Sequence, residues 1–182
     1  MSDAGYVRRS KRVVYENPWL RFEAHEIVHP TGAPGVHGVV VTPRASAVVL
    51  VDGDRVLLAR QARFAIDRIV LEVIKGGRHD DEDGLACAQR ESREEAGVVA
   101  ESWFSLGQTY EIPSIVQEPV ALYLGVGLSP APLEPEAVER IDVVPMRFDD
   151  ALEACADGRI DDAVTAIALL RAKRLLDAWR GA

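Results

Sequence analysis

Cysteine is nearly absent from these 182 residues, with only Cys87 and Cys155 present. That excludes a disulfide-stapled scaffold, and a chain this long buries roughly two thirds of its unfolded surface and needs no such framework; both thiols are expected to be reduced and in the core. Long apolar runs are missing as well. None approaches the roughly 18 residues a membrane helix requires, and no apolar stretch of the signal-peptide kind opens the chain, so a cytoplasmic protein away from membranes is expected. Positive charge is in deficit: 21 Lys and Arg stand against 29 Asp and Glu, a formal net charge of −8. The basic residues are scattered rather than gathered in a stripe, which excludes a nucleic acid polymer as partner. Any phosphate handled by this chain therefore calls for a cation as mediator. Internal repeats and low-complexity segments are absent. What remains is one soluble globular domain with a small appendage.

Alternation of apolar and polar residues predicts strands over Val7–Val14, Leu20–Val28 and Val36–Thr42, with turns at Asn17-Pro18 and Thr31–Gly35. Three short antiparallel strands make a poor core alone, so residues 1–42 are expected to pack on the remainder of the chain or on a second copy. Stronger apolar runs, Ala45–Val51 and Val56–Gln61, flank the hairpin turn Asp52-Gly53-Asp54. Further strands are predicted at Ile69–Ile74, Val98–Gly107, Val120–Gly127 and Ile141–Pro145, with a proline-rich loop at Pro130–Pro135. Helices are expected at Gly84–Ala96, capped by Gly97, at Asp149–Ala156, stopped by Gly158, and at Asp161–Trp179, with Val164, Ile167, Leu170 and Leu175 on its apolar face and Asp161 as its cap. Interleaved strands and helices place the class as α/β or α+β, with helices covering a mixed sheet.

The chemistry concentrates between Lys75 and Val98, where a glycine turn feeds an acidic helix. Helical spacing puts Glu91 and Glu95 one turn apart with Glu94 beside them, so three mutually repelling carboxylates share one face. A cluster of that kind suits a hard divalent cation bound through oxygen, magnesium by default. From Gly76 the order is five residues, Glu82, seven residues, then Arg90-Glu91-Ser92-Arg93-Glu94-Glu95-Ala96-Gly97-Val98. This resembles the Nudix box, Gly-x5-Glu-x7-Arg-Glu-U-x-Glu-Glu-x-Gly-U with U apolar, over its full span. Ser92 departs from it at the first apolar position, where its hydroxyl can bond back to a carbonyl one turn earlier at a small cost.

The resemblance implies a Nudix hydrolase: an α/β/α sandwich on a mixed sheet that cleaves a nucleoside diphosphate linked to another group, with Mg2+ or Mn2+. It implies Glu91 and Glu95 as metal ligands with the Lys75 backbone carbonyl, Glu94 contributing to catalysis, and Gly76, Glu82, Arg90 and Gly97 as structural positions, a Glu82–Arg90 pair holding loop to helix. His79 and its neighbouring aspartates are expected to be solvated loop residues.

Four further features resemble the ADP-ribose and nucleotide-sugar pyrophosphatase branch of that family. Val14-Tyr-Glu-Asn-Pro-Trp-Leu20 and Ile27-Val-His-Pro-Thr-Gly32 resemble strands that this branch exchanges between subunits, implying a homodimer built through residues 1–42, with 43–182 as the hydrolase domain. Ala59-Arg-Gln-Ala-Arg63 resembles its Gln-x-Arg strand; Arg63, with Arg60 nearby, is the basic candidate for substrate phosphate, since a guanidinium matches phosphate bidentately. Pro113 lies fifteen residues past the box, and Glu118 falls on the loop where the branch carries a glutamate that activates or positions water. Many relatives have glycines after that proline and this chain has none, which bears on the loop's shape. The Gly-Arg-Ile-Asp-Asp-Ala segment from Gly158 resembles the opening of the branch's terminal helix.

Leu71-Glu-Val-Ile-Lys-Gly76 departs at Ile74, where a proline is common, and its Lys-Gly ending also occurs in relatives acting on ADP-containing dinucleotides. Trp19 and Tyr110 are the aromatics placed to stack on adenine or to serve a core or dimer interface. The expected reaction is Mg-dependent hydrolysis of ADP-ribose or a related nucleoside diphosphate sugar to a nucleoside monophosphate and a sugar phosphate. GDP-mannose, diadenosine polyphosphates or NADH are alternative substrates, and a non-catalytic nucleotide-sugar binding protein is the alternative outside enzymes.

Overall fold

The computed structural model describes residues 4–132 and 141–180, so half of the proline-rich stretch, from residue 133 to 135, lies outside the described residues. The chain divides into two compact units, one formed by the residues up to Arg44 together with Tyr110–Pro119, the other by Ala45–Thr109 and the residues from Val120 onward.

The first unit is an antiparallel sheet of β1 (Val7–Glu16), β2 (Arg21–Val28) and β3 (Pro34–Val41) in that order. Asn17 makes the first turn because its short side chain can replace a backbone acceptor: Oδ1 takes the N–H groups of Trp19 and Leu20, both at 2.9 Å. The third strand starts two residues ahead of the predicted Val36, with Pro34 tolerated as its first residue. Tyr110–Pro119 joins this unit through β3, where Val40 donates to Ile115 O at 2.7 Å and accepts from Gln117 N at 3.0 Å. His37 Nε2 meets Ser114 O at 2.8 Å.

Glu23 and His25 alternate along β2 and are buried although polar. The Glu23 carboxylate is satisfied by Lys11 Nζ at 2.9 Å, Arg21 Nε at 2.9 Å and His25 Nε2 at 2.7 Å. Lys11 foremost, then His25 and, against the opposing effect of burial, Arg21 pull its pKa down from 4.5 to about 2. A carboxyl depressed in the folded state contributes stability that is complete above its unfolded value and is lost as pH falls through its folded one. Melting followed by circular dichroism should therefore show Glu23→Gln well below wild type at pH 7, with the gap closing between about pH 4.5 and 2.

The second unit holds a mixed seven-stranded sheet. Its central path is β10 (Asp142–Arg147), β5 (Arg55–Arg63), β4 (Ala45–Asp52), β9 (Val120–Pro130) and β8 (Val98–Thr109), with β6 (Arg68–Glu72) paired to β5 and β7 (Ile74–Gly77) to β4. β4 runs parallel to β9 and antiparallel to β5 and β7. Both of its faces are buried, which is why it reads as an unbroken apolar run. Val48 and Leu50 face Ala88 of α1 (Gly84–Glu94), whereas Ala47, Val49 and Val51 face Phe148, Ala151 and Ala154 of α2 (Phe148–Ala156) and Val164, Ala168, Leu169 and Ala172 of α3 (Ala163–Arg180). Helices on both faces of one mixed sheet make the α/β/α arrangement.

Several elements differ from their predicted form. The stretch Ile69–Ile74 is two strands rather than one: β6 leaves β5 at Glu72 and β7 joins β4 at Ile74, and between them Val73 donates its N–H to Thr165 Oγ1 at 3.0 Å instead of to a strand. The box glycines Gly76 and Gly77 consequently end a strand and do not form a turn. The cap of α3 is Asp162, whose Oδ1 accepts from Thr165 N at 2.8 Å, while Asp161 is drawn outward to Arg68 Nη1 at 2.6 Å. Of the expected apolar face, Val164 is buried and Ile167 and Leu175 pack against the core, whereas Leu170 is 66% exposed. Ala168, Leu169 and Ala172 complete the buried face, which is turned toward β4 and α2 and away from Leu170. Leu169→Ala should cost about 2–5 kcal/mol in urea unfolding. Leu170→Ala should stay within about 0.5 kcal/mol, as surface substitutions do.

Candidate active site

Helix α1 is held at its start by Asp83, whose Oδ1 accepts from Ala86 N at 2.8 Å, and ends at Glu94 with Glu95 as its cap and Gly97 beyond it at φ +67°. Its buried face comprises Gly84, Cys87, Ala88, Glu91 and Ser92, the i, i+3, i+4, i+7, i+8 series. Ser92 is fully buried, and its hydroxyl donates to Ala88 O at 2.6 Å, the back-bond that allows a polar residue at this apolar position. Cys87 is buried beside it, and burial raises its thiol to about 11, leaving it inert at neutral pH.

Arg90 organises the acidic face. Its Nε donates to Glu82 Oε1 at 3.0 Å and its Nη2 to Glu82 Oε2 at 3.0 Å, a bidentate pair that closes the Arg78–Asp83 loop onto the helix. Nη2 also reaches Gly77 O at 2.8 Å, and Nη1 is shared between Glu91 Oε1 at 2.8 Å and Glu94 Oε2 at 2.7 Å. Although burial opposes it, the Glu82, Glu94 and Glu91 carboxylates raise the guanidinium pKa further above its already high value. The same contact with Arg90 lowers that of Glu82, helped by the His79 N–H at 3.2 Å. The His79 side chain is exposed.

Glu91 is 7% exposed and its carboxylate lies against Gly76, where an added Cβ would collide with the Glu91 carboxylate. A side chain at position 76 would have to displace this carboxylate. Glu95 Oε2 accepts the Lys75 N–H at 3.3 Å, so the two outer glutamates of the face both meet the Lys75-Gly76 backbone. This is an all-oxygen, strongly acidic donor set of the kind hard divalent cations select. Among the described residues, no three carboxylate, imidazole or thiol groups converge on one point as the side chains stand. Arg90 stands between Glu91 and Glu94 in their place.

Arg63 and Lys75 meet at a residue that the sequence reading had passed over. Glu72, 1% exposed, accepts from Gln61 Nε2 at 2.7 Å and from Arg63 Nη2 on one oxygen, and from Lys75 Nζ at 2.9 Å on the other. Lys75 Nζ also binds Asp162 Oδ2 at 2.8 Å. Despite its burial, Asp162 and Glu72 raise the pKa of Lys75, and Lys75 in turn lowers that of Asp162 against the pull of burial. The signal for this cluster lay in motifs already noted, the Gln-x-Arg strand and the Asp-Asp pair before α3. Arg60 is exposed on the same strand and shares none of it.

Glu118 belongs to the first unit, 17% exposed, with Arg44 Nε at 3.4 Å and Gln117 Nε2 at 3.2 Å. The loop that carries it is shaped without glycine by a tight turn in which Ile115 N and Val116 N both donate to Ile112 O, at 3.0 and 2.8 Å. Trp19 and Tyr110 are exposed in that unit, not core residues. The sharpest test of the carboxylate packing is Gly76→Ala. The added methyl must displace Glu91, so divalent-cation binding measured by calorimetry should weaken by about 10-fold or more while the far-ultraviolet spectrum is kept.

The chain has recognisable counterparts. The chain is 26% identical over 176 residues to the ADP-ribose pyrophosphatase of Bacillus subtilis (strain 168), covering 94% of this chain and 95% of that protein. It is 29% identical over 166 residues to the CMP-5'-(N-acetyl-N-hydroxy-3-aminopropyl)phosphonate hydrolase of Streptomyces rubellomurinus (strain ATCC 31215), covering 91% and 81%. It is also 26% identical over 161 residues to the methanol dehydrogenase activator of Bacillus methanolicus, covering 86% of each. Among solved structures, a crystal structure of an ADP compounds hydrolase superposes with a TM-score of 0.86 at 20% identity, covering 96% of this chain and 95% of that one, a likeness of fold. The NUDIX domain model matches residues 41–172, which contain the whole box and both faces of its sandwich, and the chain belongs to the Nudix family.

Proposed function

We propose that this protein hydrolyses the pyrophosphate bond of ADP-ribose or a closely related nucleoside diphosphate sugar, with Mg2+ as the metal and Mn2+ able to replace it. The observation that carries this reading is the intact acidic face: Glu91, Glu94 and Glu95 on one side of α1, with Gly76 shaped around Glu91. The similarity to an ADP-ribose pyrophosphatase along nearly the whole chain supports the substrate class. A binding protein that had lost catalysis would have no need of these carboxylates.

Glu91 and Glu95, with the Lys75 backbone carbonyl and with Glu94, are the residues that would hold the metal. When bound, the metal neutralises charge developing on the phosphoryl oxygens and lowers the pKa of water. Arg63 is half-exposed and grips the diphosphate, with Arg60 on the same strand as a further basic group. Glu118 orients or deprotonates the attacking water, which forms a new bond to one phosphorus as the bridging anhydride bond breaks. The products are a nucleoside monophosphate and a sugar phosphate. Arg90 balances the charge of Glu91 and Glu94 and keeps the acidic face together.

The same reading assigns the first unit to dimer formation. Val13, Val14, Tyr15, Trp19 and Val36 are exposed on its sheet and turn, an apolar surface suited to a second copy. The chain works in the cytoplasm on a small soluble substrate.

Chromatography of products after incubation with ADP-ribose should show AMP with magnesium and none with chelator. A panel including a CMP-linked compound, GDP-mannose and NADH ranks the base and the leaving group. ADP-ribose bound by calorimetry but never cleaved would replace this reading with a sensing role. Glu95→Gln should lose about 100-fold or more in turnover, because it withdraws charge from a metal whose stabilisation is worth several kcal/mol. Unchanged turnover in that folded variant would sink the assignment.

A further inference from the structure

Resting on the reading of Arg63 as the residue that grips the diphosphate, we propose that Glu72 is a positioning residue that aims the Arg63 guanidinium at substrate. Three observations carry this. Glu72 is 1% exposed, yet it holds both motif residues of the Gln-x-Arg strand on a single oxygen, Gln61 Nε2 at 2.7 Å and Arg63 Nη2. Arg63 itself keeps 38% of its side chain exposed and has no other side-chain partner among the described residues, so its remaining N–H donors are available to a ligand. A guanidinium has five donors in a rigid fork, and fixing one of them sets the direction of the others.

The second oxygen shows that Arg63 is not needed merely to neutralise Glu72. Lys75 Nζ, 15% exposed, stands 2.9 Å from Glu72 Oε2 and 2.8 Å from Asp162 Oδ2. That ammonium already gives Glu72 a buried counter-ion, and Asp162 caps α3 through Thr165 N at 2.8 Å, which ties the counter-ion to a helix. Glu72 is thereby clamped on one side by a lysine itself held by Asp162 and presents its other oxygen to a half-exposed arginine. An unclamped arginine on a strand edge would sample many rotamers and lose much of its side-chain entropy on meeting an anion.

A double-mutant cycle tests this, with wild type, Glu72→Gln, Arg63→Met and the double variant measured in one series. Steady-state kinetics on ADP-ribose give kcat and KM, and calorimetry with inorganic pyrophosphate and magnesium gives a Kd that needs no turnover. Glu72→Gln should weaken pyrophosphate binding and raise KM by about 10-fold, the worth of one oriented charge-assisted hydrogen bond, with a smaller change in kcat. In the Arg63→Met background the same substitution should change neither quantity. Glu72→Asp, which keeps the charge and draws the carboxylate back by one methylene, guards against a variant that fails to fold and should show an intermediate loss. Equal losses with and without Arg63, or a fall in Tm with Kd and KM unmoved, would overturn the proposal and leave Glu72 as a structural carboxylate. If wild type does not cleave ADP-ribose, the functional reading fails by itself, and the pyrophosphate cycle still decides on Glu72.

Discussion

A helix that places three glutamates on one side works against its own folding unless cationic and N–H donors meet them, and in this protein Arg90 of the same helix meets two, Glu91 and Glu94, while Glu95 takes the Lys75 N–H. The five donors of Arg90 reach both oxygens of Glu82, one oxygen each of Glu91 and Glu94, and the carbonyl of Gly77, so a single side chain fixes the loop, the helix and the end of β7 together. Glu91 is 7% exposed with that donor on it, and an unpaired buried carboxylate would cost several kcal/mol. The glycine at position 76 follows from the same constraint. Once Glu91 is drawn inward, its carboxylate fills the space of a side chain on β7.

The strand that delivers Gly76 depends in turn on a change of partner. β6 pairs with β5 and β7 with β4, and the crossing occurs at Val73, whose N–H has no strand to meet and is taken by the Thr165 hydroxyl from α3. A buried N–H left without a partner costs about 1–3 kcal/mol, which explains a fully buried threonine in an otherwise apolar stripe. Around this crossing Glu72, Lys75 and Asp162 alternate in charge, and they join the strand entering the box to the cap of the terminal helix. The site is thus braced from two sides, by Arg90 on the face of α1 and by Lys75 on the opposite face of the sheet.

Local patterns were enough to locate most elements, because β4, α1 and the hairpin at Gly53 each obey one period or one turn chemistry. Ser92 could even be assigned its back-bond to Ala88, since an i to i−4 contact involves no distant residue. Where expectation and structure part, a distant residue decides. Ile69–Ile74 has the composition of one strand and becomes two because β5 and β4 compete for it. Leu170 lies at the margin of the apolar face of α3, and packing on β4 turned Leu169 inward and left Leu170 outside while Val164, Ile167 and Leu175 stayed on the core. Asp161 and Asp162 are equally good caps in sequence, and Arg68 claims the first while Lys75 draws in the second.

By itself the sequence determined the covalent spacing of the box: which carboxylates share a face of α1, where glycine is tolerated, and that seven residues separate Glu82 from Arg90. Those are short-range consequences of the helix repeat and of side-chain size, complete once the order of residues is written. Tertiary structure alone decided that Glu72 would join Gln61, Arg63 and Lys75, and that Glu118 would sit with Arg44 in the unit built on β1, β2 and β3. Such contacts join residues far apart in the chain, and only the pairing of strands brings their donors within reach of a buried carboxylate.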